Sequence, residues 1–174
     1  MDMQASPVPG APRVVVLGVG NILLSDEGVG VRAVEELGRR YRLPEGVELL
    51  DGGTSAMELL DDLAGCDLLV IADCVRAGQP PGTLMRLADD DIPALFRTRL
   101  SPHQVGLPEV LGTLVLTGEA PAHTVLYGVE PETLATGIGL SECVAASLPR
   151  LLEGLAREVC AETGVEMAAA PAAC

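Results

Sequence analysis

An α/β sandwich built around a mostly parallel sheet is the fold class that this sequence predicts. Three features point to it. Short apolar runs, at Val14–Leu17, Val47–Leu50, Asp67–Ala72, Thr83–Leu87 and Thr124–Val129, read as strands. Most of them are separated by stretches with helical spacing of apolar residues, the pattern of strand–helix–strand units. Val14–Leu17 and the apolar residues of Asp67–Ala72 are continuous rather than alternating, as expected of central strands covered on both faces.

Taken in order, the first strand is followed by Gly18-Val19-Gly20-Asn21, where the glycines free the backbone to turn and Asn21 tolerates a left-handed conformation. Ser25 is then expected to cap a helix, with Asp26 and Glu27 in its first turn, where the helix dipole favours acids. This helix runs to about Arg40, with Val34, Leu37 and Tyr41 on one face and Gly30 allowing close approach to the sheet. The second strand ends in Asp51-Gly52-Gly53-Thr54, and Ser55 with Glu58 form a capping-box pattern for a helix through Leu63. The third strand ends at Asp73-Cys74. The fourth strand is followed by Asp89-Asp90-Asp91 and then a short acidic-started helix over Ile92 to Phe96. Gly106 and Pro108 move the start of the next helix to about Leu107, and it runs to Leu116. A last helix is expected over Ser141–Val159, kinked or split at Pro149. Residues 1–12, rich in Pro, Gly and Ala, read as a disordered leader. Residues 13–162 form a single α/β domain, and 163–174 form a flexible tail.

Composition excludes several classes. With a net charge of −14, no Trp and only Phe96, Tyr41 and Tyr127 as aromatics, the chain lacks the basic, ring-bearing face that nucleic acid requires. The same charge opposes anionic membrane surfaces, and no segment is apolar enough for membrane insertion. The 5 cysteines, an odd number without C-x-x-C spacing, fit reduced thiols in a cytoplasmic protein. A dinucleotide site is also excluded. Leu23 stands where the third glycine of G-x-G-x-x-G belongs, and two acids at the helix start would repel a pyrophosphate. No nucleotide is expected.

In open α/β sheets ligands sit beyond the carboxyl ends of the strands. That rule selects Gly18–Glu27, Asp51–Thr54, Asp73–Cys74 and the segment around His103. Asp73 follows a buried apolar run, so its carboxylate must be satisfied by a backbone N–H, a base or a metal. His103 follows Pro102 near a helix amino end, which favours a neutral ring able to donate a lone pair. Two carboxylates and one histidine from separate loops suit a first-row divalent ion with open coordination positions. Acids at a helix start can also merely complement the dipole, Asp73 can merely cap a loop, and a lone histidine can be structural. The residues alone leave these readings open. Cys74, adjacent to Asp73 on a strand, points to the opposite face and is a poor nucleophile candidate.

LGVGNILLSDEGVGVRAVEEL (Leu17–Leu37), LLDGGTSAMELL (Leu49–Leu60), IADC (Ile71–Cys74), PGTLMRL (Pro81–Leu87) and SPHQVGLPEVL (Ser101–Leu111) together resemble the nickel-iron hydrogenase maturation endopeptidases, in order and in spacing. The likeness spans roughly Arg13 to Gly164. It implies a three-layer sandwich with a twisted five-stranded, mostly parallel sheet flanked by helices on both faces. It also implies an endopeptidase, grouped with aspartic-type peptidases, that removes the C-terminal extension from the nickel-loaded precursor of the hydrogenase large subunit. The family's metal-contacting and catalytic positions fall on Glu27, Asp73 and His103. The nickel is carried by the precursor and serves as the recognition element. Asp51, Gly52, Gly53 and Thr54 read as a flexible substrate-contact loop, although paired D-T/S-G motifs are absent. The expected state is a monomer whose partner is the large-subunit precursor. A non-catalytic nickel- or precursor-binding maturation chaperone of the same fold is the alternative.

Overall fold

The computed structural model describes residues 10–92 and 106–170. Strands β1 (Val14–Val19), β2 (Val47–Gly53), β3 (Leu68–Cys74), β4 (Leu84–Ala88) and β5 (His123–Val129) form one sheet in the order β2-β1-β3-β5-β4. β2, β1, β3 and β5 run parallel, and β4 closes the edge antiparallel to β5. The expected mostly parallel five-stranded sheet is therefore present. β3, at the centre, is buried at every residue, as its unbroken apolar run requires.

Helices cover both faces. Val14, Val16, Val70 and Ala72 pack with α1 (Val29–Arg40) and α4 (Glu142–Thr163), through Val29, Val34, Leu37, Val144, Leu152 and Leu155. Val15, Leu17, Leu69 and Ile71 face the other way, onto Leu63 of the one-turn helix α2 (Leu60–Leu63) and Leu107, Val110 and Leu114 of α3 (Leu107–Thr117). Strand alternation thus splits one sequence run into two cores. α3 begins where Gly106 and Pro108 place it, and the Glu109 carboxylate accepts the Gly106 N–H at 2.8 Å.

Several local expectations are corrected. α4 is not split in two: it is one continuous helix through Pro149. This residue is exposed, so the backbone carbonyl it leaves without a helical donor lies on the solvent side. Neither Ser25 nor Ser55 makes a side-chain cap. Ser25 is itself the first residue of a 3₁₀ turn, Ser25–Gly28, and Ser55 precedes another, Ala56–Leu59, in place of a regular helix start. Asp51-Gly52-Gly53 is not a loop. These residues finish β2, whose register against β1 shifts between Gly18 and Val19, and Asp51 Oδ1 accepts the Gly53 N–H at 2.8 Å. Beyond α4 the chain does not trail away as the expected tail would. Met167 is buried in the α1–α4 core, Ala169 bridges Tyr41, and the Arg42 and Ala170 N–H groups donate to Ala168 and Arg40 carbonyls at 2.8 and 2.7 Å. The segment expected as a helix from Ile92 to Phe96 lies mostly outside the described residues, as do 1–9 and 171–174.

Candidate active site

The carboxyl ends of β1, β3 and β2 meet at one rim, and the sequence folds there for identifiable reasons. Gly30 lies in the first turn of α1, and a Cβ on it would collide with the carbonyls of Ala72 and Val19. Its absence lets the helix start sit directly on the ends of β1 and β3. Gly20 adopts φ +134°, and a Cβ there would strike the Glu27 carbonyl. The loop therefore doubles back tightly on the 3₁₀ turn, delivering Glu27 beside the end of β3.

Glu27 is 7% exposed and Asp73 is 3% exposed, so both carboxylates are buried at this rim. Asp73 Oδ1 accepts the Cys74 N–H at 2.7 Å. Burial pushes the Cys74 thiol far above its ordinary range, and the negative charges of Asp73, Glu27, Asp26 and Glu130 push it further. The thiol itself sits in the α1–α4 core. Ile71 and Val75, which share Asp73's side of the strand, sit in the opposite core. Cys74 is a buried, protonated thiol facing away from the site, as strand alternation predicts, and it cannot serve as a thiolate nucleophile.

Two further acids lie behind the rim and act on its framework. Asp26, fully buried, takes hydrogen bonds from the 132–141 segment: Glu132 N–H at 2.9 Å, Thr133 N–H at 3.0 Å, and Ser141 N–H and Oγ–H at 2.7 and 2.9 Å. Burial alone would raise its pKa, but these donors outweigh burial and hold it below the usual aspartate value. Glu130 follows β5 and accepts N–H groups of Ala77, Gly78 and Gln79 at 2.6, 3.2 and 3.2 Å, fixing the loop after β3. Its signal in the sequence was the same as that of Asp73: an acid directly after an apolar strand.

An open cleft of about 250 Å³ lies at the end of β2, lined by Asp51, Gly52, Gly53, Thr54, Ser55, Glu58 and Leu59. It adjoins the first loop through the Gly20 N–H, which donates to the Gly53 carbonyl at 2.8 Å. On the other side, the exposed aliphatics Ile22, Leu23 and Ile138 form a lip. The Gly137 N–H donates to the Leu23 carbonyl at 2.9 Å, and Leu24 bridges Gly137.

Of the expected site residues, Glu27 and Asp73 are brought to one rim, with Asp51–Thr54 beside it across β1. His103 lies outside the described residues. Among the described residues no group of three or more His, Cys, Asp or Glu is arranged to hold a metal ion. No helix among them is long and apolar enough to cross a membrane.

Fold and rim together define a class: an α/β protein that gathers buried carboxylates at its strand ends beside an open cleft. Comparison with known proteins narrows it. A family model described as hydrogenase maturation protease (HycI) matches residues 31–158. The hydrogenase 2 maturation protease of Escherichia coli is 52% identical over 155 residues, which cover 88% of this chain and 94% of that protein. The hydrogenase expression/formation protein HoxM of Azotobacter vinelandii is 44% identical over 161 residues, covering 91% and 77% respectively. In three dimensions the chain is similar to the E. coli hydrogenase maturating endopeptidase HybD, with a TM-score of 0.85 at 51% identity over 90% of this chain and 97% of that one. This chain belongs to the hydrogenase maturation protease family and is a peptidase.

Proposed function

We propose that this protein removes the C-terminal extension from the nickel-loaded precursor of a nickel-iron hydrogenase large subunit, with the nickel as its recognition element. The observation that carries the reading is the pair of buried carboxylates, Glu27 and Asp73, delivered by separate elements to one rim beside an open cleft. The 52% identity to a hydrogenase maturation protease supports the substrate class.

Peptide hydrolysis requires a polarised carbonyl and an activated water. In this proposal Glu27, Asp73 and His103 contact the nickel that the precursor already holds through its own thiolates. That contact sets the register of the polypeptide, so the scissile bond is chosen by its distance from the metal rather than by a long recognition sequence. A carboxylate of the pair takes the proton from water. The Asp51–Leu59 cleft and the Ile22–Leu23–Ile138 lip receive the chain on either side. Without nickel the precursor does not engage, and the extension remains. The setting is the cytoplasm.

Removing either carboxylate charge or the imidazole separates a peptidase from a precursor-binding chaperone. Glu27→Gln, Asp73→Asn and His103→Ala are each expected to slow precursor trimming by about 10²- to 10⁴-fold, while the fold is retained by circular dichroism. Trimming at the wild-type rate in all three variants would contradict the assignment.

A further inference from the structure

Asp26 and Glu27 are adjacent in sequence and do different things. Glu27 stands at the rim. Asp26 turns away and is fully buried. Among the described residues its side-chain hydrogen bonds come from Glu132, Thr133 and Ser141, more than 100 residues further along the chain. Backbone bonds extend the same seam. The Asp26 N–H donates to the Thr133 carbonyl at 3.3 Å, and the Ser25 N–H donates to the Gly137 carbonyl at 3.0 Å. The Ser25 Oγ–H donates to the Ala135 carbonyl at 2.9 Å.

This seam does something the turn cannot do for itself. The 3₁₀ turn Ser25–Gly28 has four residues and no side-chain cap, and so short a turn has little stability of its own. Ser25 is held at φ +52°, a left-handed conformation that costs a non-glycine residue energy and persists only where its surroundings over-determine it. Ser141 is the N-cap residue of α4, yet its hydroxyl does not cap that helix. It donates to Asp26 instead.

We infer that Asp26 is a positioning residue: by clamping the 132–141 segment it imposes the turn that holds Glu27 at the rim. The inference rests on the assignment of Glu27 to the reaction site. A carboxylate is needed because four donors converge on it. An amide offers only one acceptor oxygen and would set its own N–H groups against theirs.

The test is a single-turnover assay of trimming of the nickel-loaded precursor by wild type, Asp26→Asn, Ser141→Ala, Glu27→Asp and the two double variants carrying Glu27→Asp. Thermal melting is measured alongside. Asp26→Asn is expected to slow trimming about tenfold or more, because small displacements of a reacting group are costly. Ser141→Ala, which removes one of the four bonds, is expected to slow it about threefold. Both effects should shrink to less than about twofold once Glu27 is already shortened, whereas their effects on melting temperature should remain additive. The coupling to Glu27 distinguishes positioning from general loosening. If Asp26→Asn does not fold, Ser141→Ala alone and with Glu27→Asp decides the matter. Wild-type rates in Asp26→Asn and Ser141→Ala, or equal slowing with and without Glu27→Asp, would overturn the inference while leaving the Glu27 assignment intact. A wild-type rate in Glu27→Asp and in Glu27→Gln would instead overturn the assignment and the inference with it.

Discussion

At the scale of single residues, neighbours in the sequence have been given opposite tasks. Asp73 points to the side of Ile71 and Val75, while Cys74, one residue on, belongs to the α1–α4 core on the other face. The thiol is held protonated by burial and by surrounding carboxylates, so Cys74→Ala is expected to leave trimming at the wild-type rate. It should lower stability by about 1 kcal/mol through the lost packing. A loss of activity without a loss of fold would return Cys74 to the reaction. This division of labour was legible in advance, because strand alternation is a strict period of two. The division between Asp26 and Glu27 was not. Both are acids at what looked like a helix start, and nothing local in the sequence shows that one of them meets donors at Glu132, Thr133 and Ser141. That pairing is set by the return of β5 to the same rim.

At the scale of elements, glycines and edge contacts decide the geometry. The docking of α1 on the ends of β1 and β3 at Gly30 was readable from the sequence, since only a residue without a side chain admits the Ala72 carbonyl. The bulged end of β2 was not: Asp51-Gly52-Gly53-Thr54 has turn composition, but pairing with β1 draws its first three residues into the sheet. Edge strand β4 is secured by an ion pair. Arg86 Nε and its terminal nitrogen donate to the two Glu158 oxygens at 2.7 and 3.1 Å, and the Tyr127 hydroxyl donates to Glu158 Oε1 at 2.8 Å. The Arg86 bonds, then that of Tyr127, hold the Glu158 carboxyl below its usual value against the opposing effect of burial. Burial and the nearby Glu158 push the Tyr127 phenol up to about 12. A carboxyl with a depressed folded-state pKa stabilises the protein above its unfolded-state value and loses that contribution as pH falls through the folded-state value. Glu158 and Asp26 therefore both contribute above about pH 4–5, and their contribution declines below it. Glu158→Gln is expected to cost about 1–2 kcal/mol at neutral pH, a figure discounted because Arg86 is half-exposed, and to flatten the acid limb of a stability–pH curve. An unchanged acid limb in urea titrations would contradict this role.

At the scale of the whole molecule, a sheet covered on both faces leaves its carboxyl rim as the place where polar groups from distant segments gather. Glu27 and Asp73 arrive there from β1 and β3, and the Asp51–Leu59 cleft opens beside them. The chain's net charge of −14 opposes a nucleic-acid partner. The five strands and the helices between them followed from hydrophobic periodicity, because burial dictates both, but the order β2-β1-β3-β5-β4 and the antiparallel edge strand did not, because pairing across the sheet leaves no local period. The packed segment after α4 did not, because its alanine-rich sequence carries no period, and among its described residues Met167 alone is buried in the core. The proposal that nickel in the precursor licenses cleavage is decided by intact-mass spectrometry of a hydrogenase large-subunit precursor incubated with this protein, with and without its nickel. The nickel-loaded precursor should lose its C-terminal extension while the nickel-free one keeps full length. Equal trimming of both would contradict nickel recognition, and trimming of neither would contradict the proposed activity.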